Sequence, residues 1–190
     1  MLFFNKSLGE FAKWWGFQLK IDQEHLANFI IIMGVSGCGK STVGRRLATG
    51  LGWPFLDADD FHPLNNRQKM AQGIALTDDD RHPWLLTLRG GLERAQHQHQ
   101  SLVLACSALK RSYRKTLTDG CVGVQWIYLQ GSYELIGARL RGRSNHFMPP
   151  SLLHSQFATL EEPEDALWVD AALDVDRIVE QIQVWNRFRF

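Results

Sequence analysis

The sequence predicts an α/β fold: a parallel β-sheet covered by helices on both faces. Three observations point to it. Residues 29–33, 102–106 and 124–129 are short, mostly apolar runs, the pattern of strands buried on both sides. Segments with apolar residues at helical spacing lie between them. The first run passes through a glycine-rich turn into such a segment, FIIIMGVSGCGKST over residues 29–42.

The elements follow in order. Residues 29–33 read as a strand, and 42–51 as a helix with Val43, Leu47 and Leu51 on one face. A short extended piece, 54–56, ends in Asp57-Ala58-Asp59-Asp60. Residues 63–72 look helical and stop at Gly73. Asp78–Asp80 precede a helix with Pro83 near its start and Leu85, Leu88 and Leu92 on one face. Strand 102–106, helix 109–117, strand 124–129 and helix 133–140 continue the alternation. Residues 142–147 are polar and basic and read as a mobile loop, followed by helix 150–160. A last strand, 166–169, leads to a C-terminal helix through Ile178, Ile182 and Trp185. In a parallel sheet the loops after the strands gather at one edge, where ligands bind.

A chain of 190 residues suits one domain. Residues 29–190 form that domain, with a small lid at about 139–149, and residues 1–28 form an aromatic-rich extension. Phe4, Leu8, Phe11 and Trp15 fall at helical spacing, so the extension reads as an amphipathic helix lying on the domain, on a partner or weakly on a membrane, with packing on protein favoured. It has no continuous apolar region followed by a cleavage site, and is a poor secretory signal. Hydrophobic residues make up 45% and charged residues 22%, enough for a real core. A net charge of +1 gives no global basic field, so a nucleic-acid partner is not expected. No run approaches the length of a membrane span. Three cysteines without C-x-x-C spacing argue against a disulfide framework or a zinc site and fit a reducing, cytoplasmic setting.

Residues 34–41 read G-x-x-x-x-G-K-S. Glycines let the loop turn its N–H groups towards one anion, and the helix behind it presents further unpaired N–H groups. Gly34, Val35, Ser36, Gly37, Cys38, Gly39, Lys40, Ser41 and Thr42 are therefore candidates for holding the phosphates of a nucleoside triphosphate. Lys40 would reach the β- and γ-phosphates, and Ser41 would place its hydroxyl on Mg²⁺. The glycine order is not that of a dinucleotide-binding turn, G-x-G-x-x-G, which has no use for a Lys-Ser pair. Cys38 reads as a small residue that fits the loop.

A phosphate loop alone does not separate a kinase from a hydrolytic switch. Asp57 and Asp59 alternate at the end of an extended segment, so their carboxylates are expected on different sides. One could hold Mg²⁺ through water, and the other could accept a hydroxyl proton. A solvated acidic turn capping the next helix is the plainer alternative. The strand at 102–106 ends in Cys-Ser rather than Asp, which makes Asp57 the expected water-mediated magnesium partner. Basic residues cluster late, from Lys110 to Arg114 and from Arg139 to His146. Cations that close over a γ-phosphate favour its transfer.

Together these segments resemble the gluconokinase family of small P-loop kinases. The resemblance rests on GVSGCGKS (34–41), LDADDFHP (56–63), Asn66, KM (69–70), Gly73, LTDDDRHPWL (76–85), CSALKRSYR (106–114) and RLRGRSNHF (139–147). SQF (155–157) and LEEP (160–163) extend it. It implies a P-loop kinase fold and phosphorylation of D-gluconate to 6-phospho-D-gluconate, with ATP and Mg²⁺ as cofactors, a place in sugar-acid catabolism, and a homodimer. Carried over residue by residue, it makes Lys40, Asp59 and Arg143 catalytic candidates, with Asp59 taking the acceptor hydroxyl and Asp57 near the magnesium. Arg143 is expected at the γ-phosphate and Arg139 on the adenine. His62, Lys69, Arg81, Lys110, Arg114 and His146 match substrate-side positions, without singling out the cation for the gluconate carboxylate. A kinase for another small hydroxy acid, such as a shikimate-like substrate, and a non-catalytic ATP-binding module are the alternatives.

Overall fold

The fold is seen in a computed structural model, which describes residues 27–142 and 152–187. Five parallel strands make one sheet: β1 (Phe29–Met33), β2 (Phe55–Asp57), β3 (Leu102–Ala105), β4 (Val124–Gln130) and β5 (Ala166–Asp170), in the order β2-β3-β1-β4-β5. The helices are α1 (Lys40–Leu51), α2 (Leu64–Ala71), α3 (Asp78–His97), α4 (Arg111–Thr118), α5 (Tyr133–Arg141), α6 (Leu152–Thr159) and α7 (Val175–Arg187). The expected alternation and the covering of both faces are both present.

Strand periodicity sorts the core into two layers. Ile30, Ile32, Val103, Ile127 and Leu129 face Val43 and Leu47 of α1, Ile136 and Leu140 of α5, and Ile178 and Ile182 of α7. Phe29, Ile31, Met33, Leu102, Leu104 and Tyr128 face Trp84, Leu85, Leu88 and Leu92 of α3, with Tyr113 and Leu117 of α4. Every side chain of β1 is fully buried, which explains its unbroken apolar run.

Two boundaries depart from expectation with a physical reason. Helix α4 starts at Arg111 rather than 109, because Lys110 is extended at its N-cap and Ala108 has φ +43°. The Asp57–Asp59 stretch is not a continuing strand. Asp57 ends β2, and residues Ala58–Phe61 wind into a 3-10 turn. Asp57 causes this itself: its carboxylate accepts the Asp59 N–H at 3.2 Å, the local bond by which aspartate ends extended structure. Strand alternation therefore does not separate the two carboxylates, and the capping alternative describes Asp57 correctly. The expected N-terminal helix, most of the basic loop and the first residues of helix 150–160 lie outside the described residues.

Candidate active site

The loop after β1 enters the site at the middle of the sheet. Gly34 has φ +139°, and a Cβ there would stand 2.8 Å from the Leu129 carbonyl oxygen and 2.9 Å from the Cys38 sulfur, so no side chain fits. Helix α1 starts at Lys40 with Gly39 as its N-cap, with no side-chain cap and no acidic residue in its first turn. Its positive end is left for an outside anion. The Lys40 ammonium donates to the Val35 carbonyl at 3.0 Å, and the Ser41 hydroxyl donates to Oδ2 of Asp57 at 2.6 Å. Ser36, Gly37, Gly39, Lys40, Ser41, Thr42 and Asp59 line one small cavity.

Asp59 thus faces the phosphate loop directly. Desolvation raises its carboxyl pKa, Lys40 opposes the shift, and Asp57 and Asp60 add to it. The side chain is still 64% exposed, so solvent moderates that push. The 3-10 turn that carries it is fastened from behind. The Trp84 indole donates to the Ala58 carbonyl at 2.8 Å and stacks on His62 with ring centroids 4.1 Å apart. His62 is buried, with Nε2 4.0 Å from Asp59. Burial, then Arg81 and Arg67, push its pKa down to about 4. It is a neutral group at ordinary pH, unsuited to hold a carboxylate by charge. Its buried Nδ1 has no partner among the described residues.

The other predicted substrate-side cations are brought to the same edge, but several are already paired. Lys69 binds both oxygens of Asp80 at 2.7 and 2.9 Å, and this bond, with those from Thr77, holds the Asp80 pKa at about 2. Lys110 binds both oxygens of Asp78 at 2.8 and 2.7 Å, and Tyr113 donates to the same carboxylate. The Lys110 bond, then that from Tyr113, lowers the Asp78 pKa. Arg81 donates to the carbonyls of Leu76 and Thr77 and lies over the Tyr113 ring. Arg114 ties the carbonyls of Ala108, Leu109 and Glu161 at 3.1, 3.2 and 2.9 Å, which is a scaffolding arrangement. The DDDRHPWL segment is thereby a bracket. Asp78 fixes the start of α4, Asp80 fixes α2 and closes a capping box with Thr77, and Trp84 fixes the acidic turn.

On the nucleotide side, Arg139 donates to the Ala171 carbonyl at 2.7 Å and reaches the Cys38 carbonyl at 3.5 Å. Arg143 and His146 lie outside the described residues. Sequence reasoning missed Gln156, whose side-chain carbonyl accepts the Ser36 N–H at 2.6 Å across 120 positions. It also missed Glu161, which accepts the Arg111 N–H at 2.7 Å. Their signals were the SQF and LEEP segments, noticed but given no role.

Comparison with known proteins places the chain. The family model for shikimate kinase matches residues 36–172. A probable gluconokinase of Xenopus tropicalis is 46% identical over 172 residues, covering 81% of this chain and 90% of that protein. This chain belongs to the gluconokinase family. A crystal structure of a gluconokinase from Sinorhizobium meliloti is 42% identical and superposes with a TM-score of 0.73, covering 82% of this chain and 89% of that one. A sugar kinase from a Janibacter species, also solved, is 38% identical with a TM-score of 0.81, covering 86% of this chain and 96% of that one. A gluconokinase built on this scaffold is a P-loop kinase, and the parallel sheet with its central glycine-rich loop has that fold.

Proposed function

We propose that the protein transfers the γ-phosphoryl group of ATP to D-gluconate, giving 6-phospho-D-gluconate. The observation that carries the reading is that Asp59 lines the same cavity as the phosphate loop. A hydroxyl held by Asp59 would stand next to the transferred group, in reach of a carboxylate that can take its proton. In this reading the loop 34–42 cradles the phosphates, Lys40 offsets the charge that develops on the transferred group, and Arg139 and Arg143 act on the nucleotide side. Gluconate carries one carboxylate and many hydroxyls, which calls for a cation among mixed donors and acceptors. His62, Lys69, Arg81, Lys110, Arg114 and His146 are the candidates for that set, with His62 as a neutral member and Arg114 engaged by backbone carbonyls.

The Ser41 hydroxyl and the Asp57 carboxylate, 2.6 Å apart, are hard oxygen donors that fit Mg²⁺. Among the described residues no group of three or more His, Cys, Asp or Glu forms a ready-made metal cage. When bound, the ion would supply neutralisation of phosphate charge.

A shikimate-like acceptor is the second reading, favoured by the match to the shikimate kinase model. The identities of 46% and 42% to gluconokinases support gluconate over it. An ADP-release assay on a panel of sugar acids tests the choice: gluconate is expected to give far the greatest kcat/KM, and equal or greater turnover of shikimate overturns the reading. The family resemblance also supports a cytoplasmic homodimer acting in gluconate use, with residues 29–190 as the kinase domain. Among the described residues no helix is long and apolar enough to cross a membrane. Light scattering on the purified chain checks the dimer.

A further inference from the structure

The peptide joining Val35 to Ser36 is held at both of its polar ends. Its N–H donates to Oε1 of Gln156 at 2.6 Å. Its C=O accepts from the Lys40 ammonium at 3.0 Å and from the Cys38 N–H at 3.3 Å. A peptide unit is a rigid plane, and in the trans form its N–H and C=O point in opposite directions. A bond that fixes the N–H therefore fixes where the C=O points. Here it fixes the resting place of Lys40.

The need for such a fixture is visible in the loop itself. Gly34, Gly37 and Gly39 all have positive φ, and glycines let neighbouring peptide planes rotate at little cost. Within 34–39 this is the only peptide that joins two residues other than glycine. Gln156 lies on α6 and is almost fully buried, so its own position is set by packing. Its amide oxygen is a neutral acceptor. A carboxylate at this place would bring a negative charge beside a site for phosphates.

We propose that Gln156 is a positioning residue for Lys40. It holds the Val35–Ser36 peptide in the plane that keeps the Lys40 ammonium folded over the loop, and it acts without touching the nucleotide. The inference rests on the reading of residues 34–41 as the ATP phosphate site. It assigns the Ser36 amide to the protein and leaves the phosphates to the amides that follow.

A double-mutant cycle in the full chain tests it, read as Kd for ATP by calorimetry and as kcat. Gln156→Met keeps the volume of the side chain and removes the acceptor. With Lys40 in place it is expected to weaken ATP binding about tenfold, and in a Lys40→Ala background less than about twofold, because its effect passes through Lys40. Equal losses in both backgrounds, or no loss with Lys40 in place, overturn the proposal. If Lys40→Ala alone leaves both ATP binding and turnover unchanged, the phosphate-loop reading falls and takes the inference with it. A measurement on the unaltered protein covers the case of a variant that does not fold. Without ATP, the Ser36 amide is expected to exchange with deuterium at least about tenfold more slowly than the Gly37 amide. Equal rates overturn the proposal.

Discussion

The hydroxyl of Ser41 meets the carboxylate of Asp57 at 2.6 Å, joining the first turn of α1 to the last residue of β2. Two oxygens from successive elements, sixteen positions apart, are thereby set side by side before any ion arrives. Asp57→Asn keeps the shape and removes the charge. It is expected to raise the Mg²⁺ concentration for half-maximal activity and to lower kcat by about tenfold to a hundredfold. A magnesium titration of initial rates checks both, and an unchanged titration removes Asp57 from the metal site.

Asp59→Asn isolates proton acceptance from binding. The amide retains the size of the side chain in the cavity and cannot take the hydroxyl proton. A loss in kcat of roughly 10²- to 10⁴-fold is expected, with Kd for ATP changed little. Parallel loss of nucleotide binding would make Asp59 a structural residue of the turn.

Trp84 supports the acidic turn through its bond to the Ala58 carbonyl and its stack on His62. Trp84→Phe keeps most of the stack and leaves that carbonyl without its donor, a cost of about 1–3 kcal/mol. Trp84→Ala adds a cavity and should cost about 3–5 kcal/mol. Urea unfolding measures both. Because the turn carries Asp59, Trp84→Phe should also lower kcat more than it raises KM for ATP.

His62 gives the fold an acid-sensitive element. Its pKa lies at about 4 in the folded chain, well below the ordinary histidine value. Between about pH 6.5 and pH 4 the unfolded chain takes up a proton that the folded chain refuses. Stability from this group is thus complete above the unfolded pKa and declines as pH falls through that window. Urea midpoints measured from pH 7 to pH 4 should decline, and His62→Gln should flatten that part of the curve. An unchanged slope in the variant assigns the decline to other groups.

The parts legible in the sequence were those whose cause is local. The unbroken apolar run at 29–33 is short, β-branched and ended by a glycine turn, which favours a strand covered on both sides, and the leucines at 85, 88 and 92 can share a face only in a helix. The phosphate loop declares itself because its glycines and its Lys-Ser pair lie within eight residues. Strand alternation does not carry through the acidic turn because a period of two holds only while the strand lasts, and β2 has three residues. Charge was legible and its partners were not. Lys69 finds Asp80 eleven positions away and Lys110 finds Asp78 thirty-two away, so cations that looked open to substrate are engaged with carboxylates. The Gln156 bond spans 120 positions, beyond the reach of any local pattern.

The strand order puts β1 in the middle of the sheet and β2 at one margin. The loop proposed to take ATP grows from the most enclosed strand, while Asp57 and the turn bearing Asp59 hang from the shortest one, at an edge. Inherited changes in β2 therefore disturb one paired strand, and changes in β1 disturb two. A scaffold arranged in this way can diversify what it phosphorylates over generations while its phosphoryl source stays the same.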